Sequence, residues 1–223
     1  MGELTKPAWD AVAELTGIAR GTRVLDLGCG TGGFCRLAAA RGADVHGVDA
    51  VREHIAEAQR RLPGGDFRVA FMDDLPWERD AFDLVTAFNA LQYALDVELA
   101  LAEALRVTRR GGRVAVCKYG RPQDNEFFAF LAALDPRGMR LGDLPEQDPV
   151  DTALDGQAHP VSAAGELPTA MMLPSADSLA TAVLSAGART GRQELEAAAA
   201  PYRRPDGSYR FEGRLKYRIL AVT

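Results

Sequence analysis

Short apolar runs and longer amphipathic segments alternate along the first part of the chain. Strands that are buried on both faces read as nearly continuous apolar runs, and such runs lie at 22–27, 43–49, 66–72, 81–89 and 112–118. Apolar residues three and four positions apart predict helices at 5–17, 32–42, 51–62 and 96–112. Strands alternating with helices at this spacing form βαβ units, so the pattern indicates an α/β fold with a doubly wound parallel sheet.

The regular alternation of predicted strands and helices ends after residue 120. A helix is predicted at 126–134, and the stretch 135–157, which is rich in proline, glycine and aspartate, is expected to be a loop. The pattern then predicts a strand within 158–172, helices at 176–186 and 191–200, and a final strand at 208–222. The final strand alternates apolar with charged residues, so its basic face is interpreted as a solvated surface rather than an RNA-binding one.

Length and composition narrow the class of protein. A chain of 223 residues with 47% hydrophobic and 26% charged residues suits a single domain, 1–223. Within it we expect an N-terminal helical segment at 1–20 and a substrate lid at 121–175. The net charge of −5 argues against a nucleic-acid partner, and no apolar run approaches the ~20 residues that span a bilayer. Three cysteines without metal-ligand spacing predict reduced thiols and a soluble cytoplasmic protein. The oligomeric state is left open.

The stretch "VLDLGCGTGGF" at 24–34 predicts a ligand-binding loop. Gly28, Gly30 and Gly33 form a G-x-G-x-x-G pattern after a strand and before a helix, which is formally a dinucleotide fingerprint. Asp49 ends the next strand, where an acid can hold a ribose diol. Dinucleotides and S-adenosylmethionine (SAM) both carry such a ribose, so these residues alone leave the two ligands open.

Asp26 favours SAM. It lies two residues before Gly28, where a carboxylate would repel the pyrophosphate that a dinucleotide places at the following helix N-terminus. SAM has no phosphate and carries a sulfonium and an ammonium group, both of which a nearby carboxylate attracts. The structural alternative is that Asp26 caps the loop through backbone N–H groups, and both roles can hold together.

The chain resembles the class I SAM-dependent methyltransferases of the small-molecule type. "VLDLGCGTGGF" is similar to the family's first motif, and "VHGVDA" to its second strand with the ribose-binding acid. The resemblance continues through "FMDDLPWERDAFDLVTAFNALQYA", "EALRVTRRGGRVAV" and the closing strand "PDGSYRFEGRLKYRIL". It implies a Rossmann-like seven-stranded sheet whose last strand is antiparallel, with a lid-like insertion after strand five and SAM across the carboxyl ends of strands one to four.

The resemblance also implies which residues bind the cofactor. Asp26, Gly28 and Gly30 would line the methionyl part, and Asn89 would approach it from the end of strand four. Asp49 would bond the ribose, with the adenosine beside Ala50 and Val51 and the adenine against Met72. One position departs from the family pattern, because Phe71 stands where many relatives have an aspartate that accepts from adenine. Either Asp73 reaches adenine through a shifted turn, which we favour, or Phe71 packs against the ring.

Residues for the methyl acceptor are expected at the carboxyl ends of strands four and five, where ligands bind in open α/β sheets. The candidates for acceptor binding are Trp9, Gln92, Tyr93, Lys118 and Tyr119. His159 is the candidate general base, because it opens the strand that follows the predicted loop 135–157. His46 and His54 are interpreted as a packed strand residue and a helix-surface residue.

The expected activity is methyl transfer from SAM to the oxygen, nitrogen or carbon of a small molecule, with a secondary metabolite as one expected acceptor. S-adenosylhomocysteine (SAH) would be the product, and no metal is expected. Two alternatives keep the fold and SAM: a cyclase or rearrangement enzyme that uses the sulfonium charge, and a non-catalytic SAM-binding partner. A third, an NAD-dependent oxidoreductase, is opposed by Asp26.

Overall fold

A computed structural model describes residues 2–134 and 148–223. The first part of the chain alternates strands and helices in the order α1 (Gly2–Thr16), β1 (Arg23–Leu27), α2 (Gly33–Ala40), β2 (Asp44–Asp49), α3 (Arg52–Arg61), β3 (Asp66–Val69), β4 (Phe82–Phe88), α4 (Val97–Val107) and β5 (Thr108–Tyr119). The remaining elements are α5 (Glu126–Leu134), α6 (Pro149–Asp155), β6 (Val161–Leu173), α7 (Ala176–Ser185), α8 (Arg192–Ala198) and β7 (Tyr209–Ala221).

The strands form one seven-stranded sheet in the order β3-β2-β1-β4-β5-β7-β6. Strands β1 to β5 are parallel, and Leu27 at the end of β1 lies between Val48 of β2 and Ala87 of β4. β7 is antiparallel to β5, since the Gly111 N–H donates to the Val222 carbonyl and the Val222 N–H to the Gly112 carbonyl. The predicted α/β fold, with a doubly wound sheet and an antiparallel last strand, is confirmed.

The chain divides into two compact units. The first contains 1–118, 147–165 and 216–223, and the second contains 119–146 and 166–215. The first unit holds β1 to β4, nearly all of β5, and helices α1 to α4 and α6. The second holds α5, α7, α8 and the parts of β6 and β7 that lie between 166 and 215. The predictions of a single domain and of a lid at 121–175 remain predictions.

Each face of the parallel sheet carries its own apolar core in the first unit. On one face, Leu25, Leu27 and Val85 belong to a buried cluster with residues of α4 and α6. On the other face, Val24 and Leu84 belong to a cluster with residues of α1, α2 and α3. Covering both faces is what the nearly continuous apolar strands require. The second unit has a separate aromatic core of Phe127, Phe130, Tyr202, Tyr209 and Phe211.

Two predicted boundaries were wrong. The helix expected at 96–112 ends at Val107, because Thr108 adopts an extended conformation and pairs with Phe82 of β4. The predicted loop 135–157 contains α6. Asp148 caps this helix by accepting from the N–H groups of Val150 and Asp151, and Pro149 fits the first helical position. The remainder of that loop, 135–147, lies outside the described residues.

No helix in the described ranges is long and apolar enough to span a membrane. The three cysteines, Cys29, Cys35 and Cys117, are free and buried. Burial raises the pKa of all three thiols, to about 12 for Cys117. They therefore remain protonated and have little nucleophilic character.

Candidate cofactor and acceptor site

Backbone geometry requires a glycine in the loop after β1. Gly28 has a φ of +63°, and a Cβ added there would lie 2.6 Å from the Cβ of Ala90. A side chain at this position is therefore excluded both by backbone strain and by contact with the loop after β4. The Cys29 N–H donates to the Val48 carbonyl at 2.9 Å, which fixes the loop against the end of β2.

Asp49 connects the glycine loop to the start of α3. Its Oδ2 accepts from the Gly30 N–H at 2.8 Å, and its Oδ1 accepts from the Val51 N–H at 2.9 Å. The Nδ1 atom of His54 lies 3.2 Å from the same Oδ1. The Asp49 side chain is only 12% exposed, so a carboxylate with several donors lies at the carboxyl end of β2.

Asp26 places a second carboxyl group directly beneath the loop. It is 4% exposed, and the Thr86 hydroxyl donates to its Oδ1 at 2.8 Å. Desolvation raises the pKa of Asp26 from 3.8 to about 7, with the negative charge of Asp49 adding to the rise and the Thr86 hydrogen bond opposing it. A positively charged ligand group would favour ionisation of this carboxyl, since opposite charges attract strongly in a desolvated site.

Asn89 follows β4 on the other side of β1. It has a φ of +50°, and its N–H donates to the Cys117 carbonyl at 2.7 Å. Its buried Oδ1 has no hydrogen-bond partner among the described residues. An unpaired buried acceptor is costly in a folded protein, so this oxygen is well suited to accept from a bound ligand.

The turn after β3 brings Met72 and Asp73 to the same edge. The Met72 methyl group would lie 3.8 Å from a Cβ built on Gly28. Asp73 accepts from the Asp96 N–H at 2.8 Å through Oδ2, while its buried Oδ1 has no partner among the described residues. Phe71 is 57% exposed. Asp73 thus already holds the start of α4, and its predicted role toward adenine remains a prediction.

Trp9 lies against the start of α2. A Cβ added to Gly33 would lie 2.5 Å from the Cη2 atom of Trp9. The indole also makes an edge contact with Phe88, the last residue of β4, at a centroid distance of 6.3 Å. The glycine at the third fingerprint position therefore makes room for the tryptophan. The indole Nε1 is buried without a partner among the described residues.

Gln92, Tyr93 and Lys118 lie at the carboxyl ends of β4 and β5, as expected. Gln92 and Tyr93 are exposed on a short 3-10 turn, Leu91–Tyr93. Lys118 is different, because its Nζ lies 2.6 Å from Asp148 and 2.8 Å from Asp151 while its side chain is only 11% exposed. This ion pairing fixes the start of α6 to the end of β5.

His159 does not lie at this edge, and its role as a general base stays a prediction that this position does not support. Its Nδ1 accepts from the Thr223 N–H at 3.3 Å. Val222, which precedes Thr223, forms backbone hydrogen bonds with Gly111 and Gly112 near the start of β5. His159 therefore lies at the amino ends of the parallel strands, opposite Asp26 and Asn89. Tyr119 belongs to the second unit, where its ring makes an edge contact with Phe128 at 5.6 Å.

Of the other two histidines, His46 agrees with its interpretation from the sequence, whereas His54 makes a contact that was not predicted. His46 is packed inside β2, 8% exposed, between Asp44 and Asp66, in agreement with its interpretation as a strand residue. His54 contacts Asp49, and its sequence pattern did not predict this contact. The available signal was its position five residues after Asp49, in the first turn of the following helix. No group of three potential metal ligands occurs within 2–134 or 148–223.

Comparisons with known proteins match the stretch of the chain that contains this site. Residues 25–116 match the family model described as a methyltransferase domain. A demethylmenaquinone methyltransferase from Clavibacter sepedonicus is 40% identical over 106 residues, which cover 46% of this chain and 43% of that protein. A ubiquinone biosynthesis O-methyltransferase from Mesorhizobium japonicum is 30% identical over 146 residues, covering 61% of this chain and 59% of the relative. The matched stretch thus spans about half the length of these curated relatives.

The fold extends the match to almost the whole chain. The structure of a putative type II methyltransferase from Anaeromyxobacter dehalogenans superposes with a TM-score of 0.67 at 22% identity, covering 96% of each chain. At that identity the likeness shows the fold alone. The strand order and this superposition define a Rossmann-like fold. Over residues 25–116 the chain is similar to a methyltransferase domain, and over nearly its full length it shares the fold of the solved structure.

The residues present fit SAM, the cofactor that the resemblance implies. Asp26 provides a buried negative charge for a cationic ligand, and Asn89 provides an unpaired acceptor at the same edge. Asp49 provides a carboxylate at the end of β2, where a ribose diol would be bound. The Gly28 loop admits close approach of a ligand to the backbone, as its left-handed conformation excludes side chains there.

Proposed function

We propose that the protein transfers a methyl group from SAM to a small-molecule acceptor in the cytoplasm. The observation that carries the proposal is the pair of carboxylates around the glycine loop, Asp26 beneath it and Asp49 bonded to Gly30. This pair suits a ligand with a ribose at one end and cationic groups at the other, and it disfavours a pyrophosphate.

We assign the cofactor contacts residue by residue. Asp49 binds the ribose hydroxyls, with Ala50 and Met72 on the adenosine side and Asp73 near the adenine edge. Asp26 and the backbone of Gly28 and Gly30 face the methionyl part, where the Asn89 Oδ1 accepts from its ammonium group. The relevant support is that the Asn89 oxygen is buried and unpaired, and that Asp26 lacks a cationic partner among the described residues.

When bound, SAM supplies an electrophilic methyl group on a sulfonium, which an acceptor lone pair displaces in line to leave a neutral thioether. The chain's contribution is to hold the cofactor and acceptor at near-contact distance and to exclude water. Gln92 and Tyr93 are assigned to acceptor contact because they are exposed at the carboxyl end of β4. Trp9 closes the site beside Gly33, and Lys118 positions α6 at the end of β5.

The acceptor class is proposed from the relatives. Two of them are named for the methylation of quinone precursors, so hydroxylated aromatic rings are the first acceptors to test. A secondary metabolite with such a ring is the proposed natural acceptor. A phenolic hydroxyl must lose its proton during transfer to oxygen, whereas a ring carbon activated by that hydroxyl must lose its hydrogen afterwards.

Calorimetric titration of ligand-stripped protein with SAM, SAH and NADH tests the cofactor assignment. We expect binding of SAM and SAH and no binding of NADH. Asp49→Asn should lose at least ten-fold in affinity, equivalent to roughly 1.4 kcal/mol, because the amide cannot accept from both ribose hydroxyls and the loop N–H groups. Asp44→Asn is the matched control, since Asp44 begins the same strand and is 55% exposed at the other end. Stronger binding of NADH than of SAM would refute the assignment.

Turnover then separates the proposed activity from its alternatives. The protein is incubated with SAM and a panel of quinols and catechols, and SAH and product mass are followed together. Methyl transfer requires SAH release in step with a product one methyl group heavier. A product of unchanged mass with SAM intact would indicate a cyclase or rearrangement enzyme, and binding without turnover of any acceptor would favour a non-catalytic partner.

A further inference from the structure

His54 lies where it can control access to the ribose-binding carboxylate. It is in the first turn of α3, where its backbone N–H donates to the Val51 carbonyl. Its Nδ1 lies 3.2 Å from the Asp49 Oδ1, and its ring is 47% exposed. The imidazole therefore contacts the Asp49 carboxylate at a position that is open to solvent.

Counting donors shows that Asp49 is nearly saturated by the protein itself. A carboxylate has about four acceptor positions. The Gly30 and Val51 N–H groups take two of them, at 2.8 and 2.9 Å, and His54 takes a third when Nδ1 carries a proton. A ribose diol brings two hydroxyl donors. Both can bind Asp49 only if His54 gives up its position, because the two backbone donors are fixed by the loop and by the start of α3.

We propose that His54 competes with the ribose of the nucleoside cofactor for Asp49, so that protonation of its imidazole weakens cofactor binding. The inference rests on the proposed function, in which Asp49 binds that ribose. A protonated imidazole always carries the Nδ1 hydrogen and holds a carboxylate more strongly than the neutral ring does. Histidine is also the side chain whose charge ordinarily changes near neutral pH.

The other charged groups around this contact leave His54 as the group best placed to act on Asp49. On α3 itself, Glu57 is already bonded to Arg60 and Arg61, and Arg52 and Glu53 directly precede the histidine in sequence. The elements packed against α3 carry the following charged residues: Asp44 and Asp49 on β2, and Asp66 and Arg68, which pair with each other, on β3. Asp26 on β1 acts on Asp49 through its charge, so the test must separate its titration from that of His54.

5′-Methylthioadenosine separates the two, because it keeps the ribose and adenine but lacks the amino-acid part assigned to Asp26. Its dissociation constant is measured by calorimetry between about pH 5.5 and pH 8. For wild type we expect binding to weaken roughly two- to five-fold at the acidic end, the range for a partly exposed charge pair. In His54→Leu the pH dependence should disappear, and binding at the acidic end should be tighter than in wild type.

Two further variants and one ligand keep the test decisive. His54→Gln retains a donor but cannot be protonated, so it should also lose the pH dependence if the leucine variant fails to fold. His159→Leu removes a histidine at the opposite sheet edge and should retain it. The 2′-deoxy analogue of the ligand brings one hydroxyl fewer and should show a smaller effect of His54→Leu, since one acceptor position then suffices.

The outcomes distinguish this inference from the proposed function. If wild type binds neither 5′-methylthioadenosine nor SAH at any pH, the nucleoside assignment fails. If wild type binds both, but His54→Leu and His54→Gln follow the wild-type pH profile, the cofactor assignment stands and the competition by His54 is refuted. Weaker binding in His54→Leu across the whole pH range would also refute it, because it would show that the imidazole assists binding.

Discussion

The buried carboxyl group of Asp26 should make the ligand-free protein less stable as the pH rises. Its pKa in the folded protein is about 7, compared with 3.8 as its ordinary value. Below the ordinary value the group is protonated in both folded and unfolded chains and has no effect. Between the two values only the folded chain holds the proton, so stability is lost progressively until the pH exceeds the folded-state pKa.

The size of the effect follows from the two pKa values. Each pKa unit corresponds to ~1.4 kcal/mol, so the raised pKa of Asp26 lowers the free energy of unfolding by about 2 kcal/mol at pH 5, where only the unfolded chain is ionised, and by about 4 kcal/mol above pH 7, where both chains are. In Asp26→Asn the amide has no charge to desolvate. The stability of this variant relative to wild type should therefore grow by about 2 kcal/mol between these pH values.

Urea unfolding of both proteins at a series of pH values measures this growth, and the difference at each pH removes the titration of all other groups. Asp10→Asn is a suitable control, because the Asp10 side chain is 41% exposed and pairs with Lys6 at the surface. Its effect should be small at every pH. A difference between Asp26→Asn and wild type that stays constant with pH would refute the conclusion that this carboxyl is desolvated without a cationic partner.

Two further substitutions test the loop and the α6 contact. Gly28→Ala forces a residue in the left-handed conformation to carry a Cβ at 2.6 Å from that of Ala90. It should cost about 1–3 kcal/mol of stability and weaken SAH binding in calorimetry. Unchanged stability would show that the loop relaxes freely. Lys118→Met removes the cation shared by its two aspartate partners on α6, and should cost about 1 kcal/mol. Hydrogen exchange should then increase in α6 but not in α1; equal exchange in both would refute the fixing role of Lys118.

The sequence predicted the elements that determine the sheet because their signals are local. Apolar runs and helical periodicity located β1 to β5, and the antiparallel β7 followed from strict alternation in the last segment. The end of α4 was misplaced because Thr108 continues directly into β5, with no separating turn to mark the change. α6 was missed because a helix of seven residues in a proline- and aspartate-rich stretch has too little periodicity to be detected, although its cap was readable at Asp148.

Site residues, too, could be predicted only where their sequence signal is local. Asp26, Gly28 and Asp49 could be predicted because the glycine pattern fixes their spacing relative to two strand ends. The position of His159 could not, because it depends on the antiparallel pairing of β6 and β7, which places the start of β6 at the opposite edge. The contact of His54 with Asp49 depends on the exact start of α3, and sequence patterns place helix starts only within a few residues.

The two carboxylates explain why the glycine loop and the cofactor depend on each other. Asp49 bonds to the Gly30 N–H, so the group assigned to the ribose also holds the loop in place before a ligand arrives. Asp26 lies beneath that loop, and each negative charge makes the other less favourable. A ligand with a hydroxylated ribose and cationic groups would stabilise the negative charge of both residues, since it offers hydrogen-bond donors to Asp49 and positive charge to Asp26. Neutral or phosphate-bearing nucleosides would stabilise at most one of the two charges, which is how this arrangement would select among ligands that share an adenosine.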